Sequence, residues 1–387
     1  MKLGKNRWSV YQILACVLIV SVWAFNEEKY ITYPAKILFI LVYGFHWLSN
    51  SKGKINKYQG WCLLMCLFSV MAIFPASGMG TAIHTLINML QVFLIGFVLS
   101  GYLKEKKEIT LFFKFFVVGG FVLLVRLLIV TPTSVWLSYE RLGESIGYNA
   151  NDVGNKAAIA AIIAICLFKD KKEKYRRIYL LMFIAMAILV LFSGSRKSLL
   201  AVVVTVILIY TIGLENKKNI FFALIGISIG LIVAYQFMMH NESLYMTIGR
   251  RVESLIDVAF KGASEASSID LREKYMKLAW GLIKKRPIFG VGLGNFAIVS
   301  GIGIYCHCDY LEVMCSYGVP VSIFYYSLLG ILLIKIITMK RKNTYGYMVL
   351  ILCIVLMMSF TTMVMYISAY VHILFAMIYK YIYRKGD

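Results

Sequence analysis

The residues best suited to chemistry arrive in four short groups. Arg196 stands in Ser193-Gly194-Ser195-Arg196-Lys197-Ser198, a very short polar turn between two apolar runs. Arg141 stands in Glu140-Arg141-Leu142-Gly143-Glu144-Ser145-Ile146-Gly147, and Tyr148-Asn149-Ala150-Asn151-Asp152 follows. Arg272 opens an amphipathic stretch that runs into Arg286-Pro287-Ile288-Phe289-Gly290-Val291-Gly292-Leu293-Gly294-Asn295-Phe296. His307 stands in Tyr305-Cys306-His307-Cys308-Asp309-Tyr310-Leu311-Glu312. A guanidinium is a planar fork of donors that matches phosphate or carboxylate oxygens. Asparagines in a turn offer hydrogen bonds to a sugar or a phosphate. An imidazole titrates near neutrality, and beside carboxylates it can act as a general base.

Each group also has a plainer reading. Arg196 could anchor a helix end by snorkelling, and Arg141 could belong to a solvated Glu–Arg pair. The alternating glycines permit close backbone approach to a ligand, yet they could simply shape a turn. They lack the spacing and the preceding strand of a dinucleotide fingerprint. His307 could be a capping or packing histidine. Cys306 and Cys308 flank it, but no well-spaced fourth ligand accompanies them, so no metal is expected. His84 and His372 lie in apolar runs and read as packed or interfacial residues.

The elements that must position these groups follow from composition. Of 387 residues, 60% are hydrophobic and 16% charged, and the mean hydropathy is +0.76. A water-soluble fold could not bury that much apolar surface, so lipid must solvate much of the chain. The net charge of +22 falls in short clusters between apolar runs, with no aromatic-and-basic module, which argues against nucleic acid. Of the eight cysteines, Cys16, Cys62, Cys66, Cys166 and Cys353 lie inside apolar runs as small packing residues.

Apolar runs sit near 8–25, 35–49, 61–76, 81–102, 110–130, 155–168, 178–193, 198–214, 220–239, 317–338, 345–362 and 365–382. A crossing helix needs about 20 residues, so about twelve transmembrane helices are expected, the second and sixth drawing on flanking residues. The first run follows Lys2, Lys5 and Arg7 but lacks a cleavage site, and it reads as a helix that stays attached. Lys52, Lys54, Lys57, Lys104, Lys106, Lys107, Lys171, Lys172, Arg176, Arg177, Lys217, Lys218, Lys340, Arg341, Lys342, Arg384 and Lys385 mark alternate connections, placing both termini inside. The other side carries only Lys29, Arg141, Arg196 and Lys197 on its short connections. The whole chain, 1–387, reads as one membrane domain with two long outer segments, 131–154 and 240–316. Within the second, 270–285 reads as an amphipathic helix with Asp270 as N-cap and Leu271, Tyr275, Leu278 and Leu282 as a stripe for the membrane surface. An ionisable residue at the outer membrane boundary is a functional candidate by default.

Taken in order, the four groups resemble the O-antigen ligase and polymerase superfamily of membrane glycosyltransferases. Arg141…Gly147-Tyr148-Asn149-Ala150-Asn151 is similar to that family's Arg–Gly–Asn-rich loop before a helix. Ser195-Arg196 resembles its helix opening after an outward turn. Arg272, fourteen residues, Pro287 and the Gly290-x-Gly292-x-Gly294-Asn295-Phe296 run resemble a third signature, and His307 with Leu311-Glu312 and Gly318 a fourth. Cys308, Met276 and Val321 depart from the residues common at their places.

The resemblance implies a GT-C-like architecture and an undecaprenyl-pyrophosphate-linked glycan as donor, presented at the outer face of a bacterial cytoplasmic membrane. It implies inverting transfer without metal or cofactor, His307 as the catalytic group, and Arg196 and Arg272 as a pyrophosphate clamp. Arg141, Asn149, Asn151, Gly292, Asn295 and Glu312 would contact pyrophosphate or glycan. The Lys- and Ile-rich composition is of a kind met in low-GC Gram-positive bacteria, which lack lipopolysaccharide. It favours a capsular or exopolysaccharide repeat-unit polymerase, working with a chain-length regulator and a flippase, over a ligase. A flippase or other transporter is the reading from another class, but the chain shows no repeated halves.

Overall fold

The computed structural model describes residues 8–51, 53–136, 142–211, 217–250, 252–253, 266–339 and 343–383. Arg141 lies outside these, as do Lys2, Lys5, Arg7, Lys52, Lys340, Arg341, Lys342, Arg384 and Lys385 of the charge pattern. Among the described residues the regular structure is helical throughout. Counting helices of nine residues or more, they are α1 (Val10–Ala24), α2 (Lys29–Ser51), α3 (Lys57–Met71), α4 (Met79–Tyr102), α5 (Lys106–Val130), α6 (Ala150–Lys169), α7 (Arg176–Ser193), α8 (Arg196–Thr211), α9 (Lys217–His240), α10 (Ala266–Lys285), α11 (Asp309–Tyr317), α12 (Val319–Thr338), α13 (Thr344–Phe360) and α14 (Ala369–Tyr383).

Each apolar run of the sequence coincides with one of α1–α9 or α12–α14. The two short runs do draw on their flanks, becoming α2 and α6. Among the described residues, α2, α4, α5, α6, α7 and α12 are each long and apolar enough to cross a bilayer. The protein is an all-α polytopic membrane protein. Helix ends need partners where water is scarce. Ser9 and Gln12 form a reciprocal capping box at α1, and Asn56 and Gln59 another at α3. Along α2, Leu38, Leu41, Phe45 and Leu48 recur at helical spacing and are 49–72% exposed, a stripe that lipid would solvate.

The chain divides into two compact units. The first comprises 1–119, 271–338 and 360–387. There α4 is flanked by α2, α3 and α14. Trp61, Phe93, Tyr325 and Phe375 surround His372, whose Nε2 lies 2.8 Å from the Tyr366 carbonyl. His372 is therefore a core residue. The second unit comprises 120–270 and 339–359. Its α6 is buried from Val153 to Leu167, and Ala157, Ala158, Ala160, Ala161 and Ala164 let α7 and α8 approach closely. A Cβ on Gly120 would come within 2.7 Å of the Ala160 methyl, so α5 meets α6 at van der Waals range.

Candidate functional site

In the first unit the site is built on α10. This helix begins at Ala266, so Asp270 lies within it rather than capping it. It ends at Lys285, just before Arg286-Pro287, because proline cannot supply the next amide donor. One face of α10 packs on protein. Met276, Ala279, Leu282 and Ile283 lie on a core containing Val291, Phe296, Cys306, Cys308 and Cys315. Leu271 and Trp280 are exposed. The small Ala279 explains the register, since the Cys315 thiol reaches its carbonyl at 3.6 Å.

The glycine run makes close approaches, and they are to the protein itself. Gly290, Gly292 and Gly294 all have positive φ, at 67°, 102° and 66°. A Cβ on Gly290 would overlap the Cys315 carbonyl oxygen, and one on Gly292 would lie 2.5 Å from the Ala76 Cα. The Val291 amide donates to Cys315 O at 2.7 Å, and Leu293 N to Ala72 O at 2.8 Å. Asn295 is fully buried. Its Oδ1 accepts the Gly78 amide at 2.6 Å, and its Nδ2 donates to Leu293 O and Gly78 O. Gly292 and Asn295 thus dock the run on the turn after α3.

His307 follows in the left-handed region, with φ 58°. A side-chain-bearing residue there is strained and persists only where its surroundings hold it. The Tyr305 ring lies 4.4 Å from the imidazole, and the Tyr275 ring stacks on it at 5.9 Å and 17°. Tyr275 is one turn beyond Arg272 on α10, so the two share a face. Burial, and then the Arg272 charge, lower the His307 pKa below its ordinary 6.5. Arg272 is half-buried, and no described residue takes up its guanidinium.

The turn is pinned on both sides. Glu312 is buried, and its Oε2 accepts the Cys306 amide at 2.9 Å. Burial raises its carboxyl to about 7. Asp309 is also buried, its pKa raised by burial to about 6. It accepts the Met365 and Tyr366 amides at 2.6 and 2.9 Å and the Tyr326 hydroxyl at 2.8 Å. The Cys306 thiol donates to Cys308 O at 3.0 Å.

In the second unit, Asn149 caps α6, its Oδ1 accepting the Asn151 amide at 2.8 Å. That cap starts the helix at Ala150, earlier than the apolar run. Glycines close the preceding loop tightly: Tyr148 N donates to Gly143 O at 2.9 Å, and Gly147 is left-handed at φ 73°. One turn into α6, Lys156 is buried and pairs with Asp152 at 2.7 Å, 4.0 Å above the Tyr148 ring. Arg196 opens α8 two residues after the left-handed cap Gly194 and is half-buried. A Cβ on Gly154 would lie 2.5 Å from Ser193 Oγ, so α6 is pressed against this turn.

The structure therefore gathers Arg272, His307 and Glu312 with Gly292 and Asn295 in one unit. Asn149, Asn151 and Arg196 belong to the other. The sequence reading assigns no site role to Tyr275, Tyr305 or Lys156. Tyr275 was legible as the i+3 neighbour of Arg272, and Lys156 as the i+4 partner of Asp152.

A family model described as O-antigen ligase matches residues 181–326. That span holds Arg196, Arg272, the glycine run, His307 and Glu312, and it leaves out Arg141, Asn149 and Asn151. No curated protein is a significant match to the chain.

Proposed function

Through residues 181–326 the chain is a member of the O-antigen ligase and polymerase superfamily, and from that premise we propose that it polymerises lipid-linked repeat units into a surface polysaccharide. Donor and acceptor are undecaprenyl-pyrophosphate-linked oligosaccharides at the outer face of a bacterial cytoplasmic membrane. The observation that carries this reading is the imidazole of His307, held in a strained turn beside the Arg272 charge.

The reaction asks three things of the protein. An acceptor hydroxyl attacks the anomeric carbon from the face opposite the leaving group. The new C–O bond forms as the bond to pyrophosphate breaks, and the lipid pyrophosphate leaves with the electron pair. The hydroxyl proton passes to His307. A lowered pKa keeps His307 neutral at physiological pH, as a base must be. The Arg272 fork, taken up by no residue among those described, suits the charge growing on the leaving pyrophosphate. The family resemblance, rather than any contact with Arg272, is what assigns pyrophosphate binding to Arg196 and Arg141 and glycan binding to Asn149 and Asn151. Glu312 shapes the turn through the Cys306 amide. Nothing in this scheme requires a metal or a nucleotide, because the lipid diphosphate is already an activated donor. A flippase would supply the substrate, and a chain-length regulator would set the product size.

The test is purified protein with lipid-linked oligosaccharide in detergent. Longer glycans on the lipid should appear without any ion gradient. His307→Ala should slow extension by about 10²–10⁴-fold, the usual contribution of general-base catalysis, and Arg272→Ala should abolish it, with membrane insertion intact in both. Movement of the oligosaccharide across liposomes with unchanged glycan length would sink the proposal, as would normal polymer from either variant.

A further inference from the structure

At the opposite end of α4 from the glycine run lies a second, unassigned feature. The N-terminal part of α4 meets that run, with Gly78 bound to Asn295 and Thr85 against Gly294. Its C-terminal end lies about 36 Å away at 1.5 Å per residue. There a cavity of about 270 Å³ opens where α2 ends and α3 begins. Lys54, Lys104 and Lys380 all line it. Lys54 and Lys104 belong to connections that the charge pattern assigns to the cytoplasmic side, and Lys380 stands in the last turn of α14.

Three ammonium groups around one cavity repel one another, and the half-buried Lys380 also loses hydration. Among the described residues no carboxylate lines the cavity. Among the described residues none of the three lysines is in an ion pair. Glu108 is the nearby acid, but its Oε2 accepts the Lys104 and Glu105 amides at 2.8 and 3.0 Å.

The walls, by contrast, are rigid. Asn56 and Gln59 are held in the α3 capping box, and Gln59 Nε2 donates to Phe97 O at 3.1 Å. Trp47 lies so close over Gly101 that a Cβ there would sit 2.5 Å from its Cδ1. A rigid, acid-free, cationic cavity is complementary to an anion, and its volume is below that of a drug-sized ligand site.

We propose that this cavity binds a phosphate group, as carried by an anionic phospholipid of the inner leaflet or by free phosphate. Bound there, the anion neutralises the lysines and ties together the ends of α2, α4 and α14. This reading is independent of the chemistry at His307.

The experiment uses the full chain in neutral detergent. It is titrated separately with dioctanoyl phosphatidylglycerol, dioctanoyl phosphatidylcholine and inorganic phosphate, following bound ligand by native mass spectrometry and unfolding by tryptophan fluorescence. Saturable phosphatidylglycerol binding, tighter than phosphatidylcholine and raising Tm, supports the lipid source. A Tm rise with phosphate and no preference between the lipids supports the free anion. In either case Lys104→Gln/Lys380→Gln should weaken binding on the order of tenfold or more, from the loss of two ammonium contacts. Lys171→Gln/Lys172→Gln, an equal charge loss on another connection, should leave it unchanged. If the first pair does not fold, single Lys54→Gln and Lys104→Gln carry the same comparison. Equal weakening by both pairs, or no response to any of the three probes, would overturn the proposal.

Discussion

Replacing Tyr275 by alanine removes one of the two rings that hold the His307 imidazole. The stack at 5.9 Å and 17° is worth about 0.5–1.5 kcal/mol. His307 is strained at φ 58°, so it depends on such contacts to keep its pose, although Tyr305 remains at 4.4 Å. Losing the stack should therefore lower the extension rate by roughly two- to tenfold, since 1.4 kcal/mol corresponds to a factor of about ten. A second effect accompanies it. Burial is the first cause of the lowered His307 pKa, and opening the Tyr275 side to water relieves it. The histidine pKa rises toward its ordinary value, and the base is protonated at a higher pH than before. The acid limb of the rate should therefore move upward in Tyr275→Ala. Tyr275→Phe keeps the ring and should match the wild type in both respects. The assay is the initial rate of glycan extension from about pH 5 to about pH 8, the window in which a histidine titrates. An unchanged rate and acid limb in Tyr275→Ala would refute the argument. So would a Tyr275→Phe variant as impaired as the alanine, because a hydroxyl would then be responsible.

Three further outcomes follow from the packing. Gly290→Ala places a Cβ against the Cys315 carbonyl at φ 67°; left-handed strain of about 1–2 kcal/mol plus the clash should lower Tm, and an unchanged Tm would show the backbone can yield. Glu312→Gln should alter the pH dependence of stability. A carboxyl raised from 4.5 to about 7 contributes stability that is fully present below about 4.5 and lost as pH rises through about 7. The wild-type Tm should fall more steeply than the variant's across that window, and parallel curves would refute the assignment. Asp152→Ala removes the carboxylate 2.7 Å from the buried Lys156 ammonium; a lower unfolding midpoint is expected, and wild-type stability would refute a contribution from this pair.

What the sequence determined by itself was local. Lipid demands long apolar runs with internally satisfied backbone, so the membrane class and each long helix could be read from hydropathy. The Pro287 stop, Arg272 at helical spacing before it, and the motif order that resembles the O-antigen ligase superfamily were likewise contiguous signals. The tertiary structure decided what depends on distant partners. In a membrane protein an apolar face can meet lipid or protein, so hydropathy could not tell that α10 packs Met276, Ala279, Leu282 and Ile283 on a protein core. The glycine run by itself suits either a ligand or a turn, and it is residues 72–78, more than 200 positions earlier, that pack against it. The strained φ of His307, the Asp309 bonds to Met365 and Tyr366, and the meeting of Lys54 and Lys104 with Lys380 have the same origin. Each brings together groups that no local pattern connects, and only the packed chain makes them neighbours.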